Sequence, residues 1–208
     1  MRNGRRWCWR RAWDRDNPAD RWQTGGPTGS VRPALRQLLL LRHAKSSWDD
    51  PSLSDHSRPL NARGRAAAGA MRQAMLGLAL SPDVVLVSSA RRTLQTLEAL
   101  EPWEETPLIE PMDALYLATA PELLKILNGV AETARSVMVI GHNPGLHELA
   151  VQLAGSARDP ADAKRLADSF PTCALAEFSV PGPWRSLAPG GARLHRFLCP
   201  RDLPQLAI

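Results

Sequence analysis

LLLLRHAKSSW, residues 38–48, is a run of four leucines that stops against an arginine, a histidine and, one residue on, a lysine. An uninterrupted apolar run of this length reads as a short strand buried on both faces, placed here at Gln37–Leu41. Its carboxyl end then delivers Arg42, His43 and Lys45 to one spot. Ligands of open α/β sheets bind outside the carboxyl ends of strands, so the residues just after the other buried runs carry the same interest.

Two more runs of this kind occur. Val84–Val87 is followed by Ser88, Ser89, Arg91 and Arg92, and Val137–Ile140 is followed by Gly141, His142 and Asn143. Between them lie helical stretches. Asn61 is a suitable N-cap for Ala62–Leu78, which carries Met71, Met75 and Leu78 on one stripe. Further helices are expected at Ala90–Leu100, from the Pro121 turn to Asn128-Gly129, at Leu146–Leu153 and at Asp159–Asp168. A short strand is expected at Leu108–Ile109, and two later ones at Ala174–Val180 and Arg193–Cys199, separated by a turn-rich stretch from Pro181 to Gly191. Strands alternating with helices predict an α/β domain, a three-layer α/β/α sandwich with a mostly parallel central sheet.

The charge is unevenly placed. Residues 1–36 hold nine arginines against three aspartates, and the whole chain of 208 residues has a net charge of +5, so residues 37–208 carry about −1. The first 36 residues also hold four of the seven tryptophans and show no helical or strand period. They read as a basic, disordered extension before one domain at 37–208. An Arg/Trp arm for nucleic acid or another acidic surface is the rival reading. No apolar run approaches the ~20 residues of a membrane span. Three cysteines (Cys8, Cys173, Cys199), without metal-ligand spacing, fit a reducing compartment such as the cytoplasm.

Two histidines and at least two arginines from three strand ends make an anion site with imidazoles in it. Guanidinium forks match phosphate oxygens with paired hydrogen bonds. A neutral imidazole is a nucleophile toward phosphorus, and neighbouring arginines are expected to keep it neutral by lowering its pKa. Phosphoryl transfer asks mainly for positioning and charge neutralisation. No metal or cofactor is called for by any spacing in the chain.

Several longer strings then point to one family. Arg42-His43-Ala44, Arg92-Thr93-Leu94-Gln95-Thr96 and Gly141-His142-Asn143-Pro144-Gly145 resemble the motifs of the histidine phosphatase superfamily, the phosphoglycerate mutase-like clan. RHAKSSW (42–48), RPLNARG (58–64), ALYLATAPELL (114–124), GHNPGLHELA (141–150) and FPTCALAEF (170–178) are similar to strings of its SixA-type phosphohistidine phosphatases. The resemblance implies His43 as the nucleophile that becomes phosphohistidine, with Arg42, Arg92 and His142 as the phosphate clamp. Arg91 competes with Arg92, and the R-x-x-Q-T spacing favours Arg92. Ser46 and Asn143 are lesser candidates at the rim. Arg58 either bridges the loop to the sheet or contacts substrate. Trp48 reads as a loop anchor rather than a substrate platform, and His56, His147 and His195 are not expected in catalysis.

The mutase branch of the clan supplies a Glu three residues before a Tyr as proton donor. Asp113 stands three before Tyr116 here and is the candidate donor, or else a loop residue. The leading expectation is a metal-independent phosphatase acting on a phosphorylated protein, through its phosphohistidine. A small-molecule phosphomonoesterase or mutase using Asp113 is the alternative on the same scaffold. A non-catalytic domain that binds phosphorylated ligands is the alternative of another class. Neither a membrane nor a nucleic acid is an expected partner.

Overall fold

The computed structural model describes residues 35–203. Within them a seven-stranded sheet runs in the order β3-β2-β4-β1-β6-β7-β5. The strands are β1 (Arg36–Arg42), β2 (Val84–Ser88), β3 (Leu108–Met112), β4 (Ser136–Gly141), β5 (Ala154–Ala157), β6 (Leu175–Val180) and β7 (Ala192–Leu198). The helices are α1 (Ala62–Gly77), α2 (Arg91–Leu100), α3 (Ala120–Asn128), α4 (Gly145–Leu153) and α5 (Pro160–Asp168). β1, β2, β3 and β4 are parallel to one another; β6 runs antiparallel to both β1 and β7, and β5 is parallel to β7. The sheet is therefore mostly parallel, with β6 alone reversed.

The four leucines explain why β1 is central. Successive side chains of a strand point to opposite faces. Leu38 and Leu40 enter a core cluster with Leu123 and Leu127 of α3 and Leu146, Leu149 and Leu153 of α4. Leu39 and Leu41 enter a second cluster with Ala68, Met71 and Met75 of α1 and Leu97 and Leu100 of α2. All four leucines are fully buried.

The expected elements are present with shifted ends. β1 begins at Arg36, the last residue of the segment read as an extension, because Arg36 donates to Gly182 O at 2.9 Å and pairs with Glu132 at 2.9 Å. β3 continues to Met112 through Pro111, which an edge strand tolerates. Ala90 and Asp159 cap their helices rather than joining them, while Asn61 is the N-cap as expected, its Oδ1 accepting from Gly64 N at 2.8 Å. Two features have no counterpart in the sequence pattern. β5, with sequence Ala-Gly-Ser-Ala, has no apolar alternation to announce it. Trp184, in the stretch that reads as turns, is fully buried and donates from Nε1 to Ala134 O at 2.8 Å. Residues 1–34, including most of the basic extension, lie outside the described residues.

The register lines up the strand ends that matter. Arg42 of β1 lies opposite Gly141 of β4, and Val87 of β2 lies opposite Ile140 of β4. The residues just beyond these positions therefore meet at one edge of the sheet.

Candidate active site

His43 leaves β1 with its backbone N–H on Gly141 O at 3.1 Å. Its Nδ1 lies 2.7 Å from Ala44 O. A carbonyl only accepts, so Nδ1 carries the proton and the lone pair sits on Nε2. His142, beyond β4, is fixed in the other sense. Arg92 Nη2 is 3.2 Å from its Nδ1, and a guanidinium only donates. Nδ1 thus accepts, and Nε2–H donates to Ser88 Oγ at 2.8 Å. The two rings face each other with centroids 5.1 Å apart.

Both imidazoles are held neutral. The pKa of His43 is lowered to about 4, by burial first, with Arg92 and Arg42 lowering it further against the opposing Ala44 hydrogen bond. That of His142 is lowered to about 3, by burial first, then by His43 and Arg92. The arginines act in the expected direction, and burial contributes more than they do.

The two arginines arrive from different directions. Arg92 is the second residue of α2, only 4% exposed, whereas Arg91 beside it is exposed. The spacing R-x-x-Q-T has a physical reading, since residues three and four apart share a helix face. Thr96 Oγ1 accepts from Ala44 N at 3.0 Å and donates to Arg92 O at 2.6 Å. Gln95 Oε1 accepts from Leu60 N at 2.8 Å. The helix turn that presents Arg92 therefore also ties down the loop after His43 and the RPLN loop.

Arg42 is anchored by the FPTC turn. Its Nη1 donates to Phe170 O at 2.8 Å, and Asn143 Nδ2 donates to the same carbonyl at 3.0 Å. Cys173, at φ +61°, turns its N–H onto both Arg42 O and His43 O, each at 3.1 Å. Arg42 Nε and Asn143 Oδ1 are buried with no hydrogen-bond partner among the described residues. The pKa of Arg42 is lowered, by burial first and then by the Arg92 charge. Two guanidinium groups held this close, around neutral imidazoles, favour an anion between them.

Asp55 is a member of the cluster that no sequence motif marks. Its Oδ2 pairs with Arg92 Nη2 at 3.0 Å and accepts from Tyr116 Oη at 2.7 Å; its Oδ1 pairs with Arg58 Nη1 at 2.9 Å. The Tyr116 hydroxyl and the Arg92 and Arg58 guanidinium groups outweigh partial burial and hold its carboxyl below the usual carboxylate range. The Tyr116 ring stands edge-on to His142, with centroids 5.5 Å apart, and to His56, at 4.8 Å. His56, which no motif marks for catalysis, thus sits at the rim, with Nε2 3.0 Å from Ser89 Oγ. Asp113 is exposed at the start of the turn before Tyr116 and makes no side-chain hydrogen bond among the described residues.

Arg58 is occupied in binding its own loop. Nε donates to Ser47 O at 2.9 Å and Nη2 to Ser46 Oγ at 2.7 Å, beside the Asp55 pair. The Ser46 hydroxyl therefore faces Arg58. The Arg58 guanidinium lies 3.1 Å over the Trp48 ring, and Trp48 is 75% exposed, which corrects its reading as a loop anchor. His147 is turned away from the cluster, with Nε2 2.6 Å from Leu166 O, and His195 meets Ser179 Oγ at 3.1 Å.

Two glycines allow these loops to close. A Cβ on Gly64 would come within 2.1 Å of Lys45 O, and one on Gly145 within 1.9 Å of Ala118 O. Among the described residues, no three His, Cys, Asp or Glu side chains come together as a metal-binding group. No helix among them is long and apolar enough to cross a membrane.

Comparison with known proteins adds to this geometry. Residues 38–114 match the family described as "Histidine phosphatase superfamily (branch 1)". An uncharacterized protein of Mycobacterium tuberculosis (Rv1276c) is 35% identical over 165 residues, which is 77% of this chain and all of that protein. Among solved structures, the protein titled "Putative Phosphohistidine Phosphatase SixA" from Nakamurella multipartitia superposes with a TM-score of 0.69. It is 31% identical, over 84% of this chain and 99% of that one. A protein so designated from Agrobacterium tumefaciens gives a TM-score of 0.66 at 28% identity, over 79% and 97% of the two chains.

Proposed function

The chain belongs to the histidine phosphatase superfamily and is of the SixA type, so it is a phosphatase, and we propose that it removes phosphate from protein phosphohistidine without a metal ion, through a phosphohistidine formed on His43. The observation that carries this reading is the fixed tautomer of His43. With Nδ1–H on Ala44 O, the neutral ring offers its Nε2 lone pair, beside two arginines that can hold a phosphoryl group.

In the first step Nε2 of His43 attacks phosphorus in line. The bond to the substrate nitrogen breaks, and the departing imidazole nitrogen takes a proton from solvent. Arg42 and Arg92 spread the charge of the equatorial oxygens. His142 keeps Arg92 aimed, through the lone pair on Nδ1. In the second step water attacks phosphorus, the Nε2–P bond breaks, and inorganic phosphate leaves with the water's proton passing to solvent or phosphate. Ser46, Asn143 and Arg58 shape the rim of this site.

The state of Asp55 supports a phosphoramidate over an ester. An alkoxide leaving group needs a protonated acid, whereas an imidazole leaving group is readily protonated by water. Asp55, the carboxylate that touches the cluster, is held ionised by Arg92 and Arg58. Asp113 lies exposed, and its position lends no weight to the phosphomonoesterase or mutase reading.

Three further parts belong to this proposal. The two core clusters on alternate residues of β1 support a three-layer α/β/α sandwich. The functional domain takes in Arg36, the first residue of β1, and the residues after it, preceded by the basic extension. The two buried free thiols, Cys173 and Cys199, agree with a cytoplasmic location.

The test compares rates on a phosphohistidine-bearing protein, an aryl phosphate and a phosphorylated sugar acid, in chelator, with His43→Ala as blank. Release from phosphohistidine far ahead of the esters is expected. Equal or faster turnover of the sugar phosphate would reject the substrate, and loss of all activity in chelator would reject the metal-free mechanism.

A further inference from the structure

An arginine on a long, flexible stem stabilises a transition state only where its guanidinium is already aimed. Both terminal nitrogens of Arg92 are held by one residue. Nη1 donates to the backbone oxygen of Asp55 at 2.5 Å, and Nη2 donates to Oδ2 of the same residue at 3.0 Å. Nη2 also donates to His142 Nδ1 at 3.2 Å. An arginine has five N–H groups. Three of them are engaged in this way, and two remain for a phosphoryl oxygen.

Asp55 is itself braced from two other segments. Its Oδ2 accepts from Tyr116 Oη at 2.7 Å, and its Oδ1 pairs with Arg58 Nη1 at 2.9 Å. It cannot turn away from Arg92 without breaking both. The loop that carries Asp55 is also tied to the start of α2, where Arg91 N donates to His56 O at 3.0 Å. Backbone and side chain thus deliver the carboxylate to the same guanidinium.

Compensating a buried charge would be the simpler role for Asp55. The other arginine of the clamp argues against that as the whole account. Arg42 forms no ion pair among the described residues and is steered by the Phe170 carbonyl instead. What the two arginines share is an acceptor that fixes their direction, and for Arg92 that acceptor is Asp55.

We propose that Asp55 is the positioning residue of the phosphate clamp: it aims Arg92 and, through Arg92, holds the tautomer of His142, with Tyr116 and Arg58 as its supports. The proposal rests on the reading of His43, Arg42, Arg92 and His142 as a phosphoryl-transfer site. It gives Asp55 no part in the bond changes themselves.

The experiment compares the wild type, Asp55→Asn and Tyr116→Phe. Ring-nitrogen chemical shifts of His142 are measured without substrate, and kcat and KM on a histidine-phosphorylated protein. Asparagine keeps the size of the side chain and the backbone oxygen at position 55 but removes the charge. Tyr116→Phe removes only the hydroxyl that braces Asp55, and it carries the test should Asp55→Asn fail to fold. In Asp55→Asn the Nδ1 signal of His142 is expected to move from that of a hydrogen-bonded acceptor towards that of a free one. Its kcat should fall about tenfold, with KM within about threefold of wild type. Tyr116→Phe should move the signal in the same direction and lower kcat about threefold, the scale of one lost neutral hydrogen bond.

A His142 signal unchanged in both variants would overturn the positioning role, whatever the rates. A lowered thermal midpoint in Asp55→Asn with kcat unchanged would make Asp55 a counter-ion only, and would overturn it too. A wild type inert on phosphohistidine would overturn the functional reading. The His142 signal is read without turnover, so the two failures are told apart.

Discussion

Arg92 Nη2 lies 3.2 Å from Nδ1 of His142 and 3.0 Å from Oδ2 of Asp55, so one guanidinium nitrogen joins an imidazole lone pair to a carboxylate. This fixes the tautomer of His142, and it gives Arg92 an internal anion to hold when no phosphate is bound.

Arg92→Ala should lower kcat/KM by about 10²–10³-fold, the usual consequence of losing a preorganised charge at a developing anion. Arg92→Lys should restore little, since an ammonium lacks the fork that meets His142, Asp55 and phosphate together. Arg91→Ala, at the exposed neighbour, should stay within about twofold, as is usual for surface substitutions. Steady-state rates on a phosphohistidine substrate decide this, and damage from Arg91→Ala in place of Arg92→Ala would move the site by one residue.

His43→Ala should remove turnover and also the acid-labile phosphoenzyme that rapid quench of the wild type is expected to trap. Asp113→Asn should leave both intact to within about twofold, because a phosphoramidate leaving group has little need of an acid. A large loss in Asp113→Asn would revive the ester reading.

The buried imidazoles set a pH dependence. The pKa of His43 falls from 6.5 unfolded to about 4 folded, so between those values the unfolded chain binds the extra proton. Stability therefore rises with pH across that window. The penalty from His43, on the order of 3 kcal/mol, is complete below pH ~4 and gone above ~6.5. Ring-nitrogen chemical shifts should show His43 and His142 neutral at about pH 5.5, between the folded and unfolded values, and the thermal midpoint should drop as pH goes from about 7 to about 4. A His43 that titrates near 6.5 would contradict its burial.

Gly145→Ala should destabilise the fold and the site together, since its Cβ would come within 1.9 Å of the backbone oxygen of Ala118. Overpacking against backbone costs typically about 1–3 kcal/mol or more. The shift would separate α4, which begins just after His142, from the segment that carries Tyr116. Denaturant midpoints and kcat should fall in the same variant; a neutral result would mean the two loops are not in contact.

The strand ends and their basic residues were legible in the sequence because each is a local pattern. An apolar run closed by Arg42-His43, or by Gly141-His142, is complete within a few residues. The choice of Arg92 over Arg91 was also local, since Gln95 and Thr96 mark one helix face, and that face meets the loops at Leu60 and Ala44. Trp184 and β5 escaped because tryptophan in a Pro/Gly-rich stretch and an Ala-Gly-Ser-Ala strand carry no periodicity.

What the sequence by itself determined is the set of groups at the strand ends and the α/β alternation that supports them. What only the tertiary structure decided is their partners. Asp55 meets Arg92 across 37 residues and Tyr116 across 61, and Arg42 is held by a backbone carbonyl 128 residues away. Such contacts leave no mark in the sequence, because a loop carboxylate looks like any solvated one and a carbonyl is common to every residue. The tautomers of His43 and His142 follow from those partners. The chemistry of the site is therefore written in residue types, but its protonation state is fixed by which loops the sheet brings together.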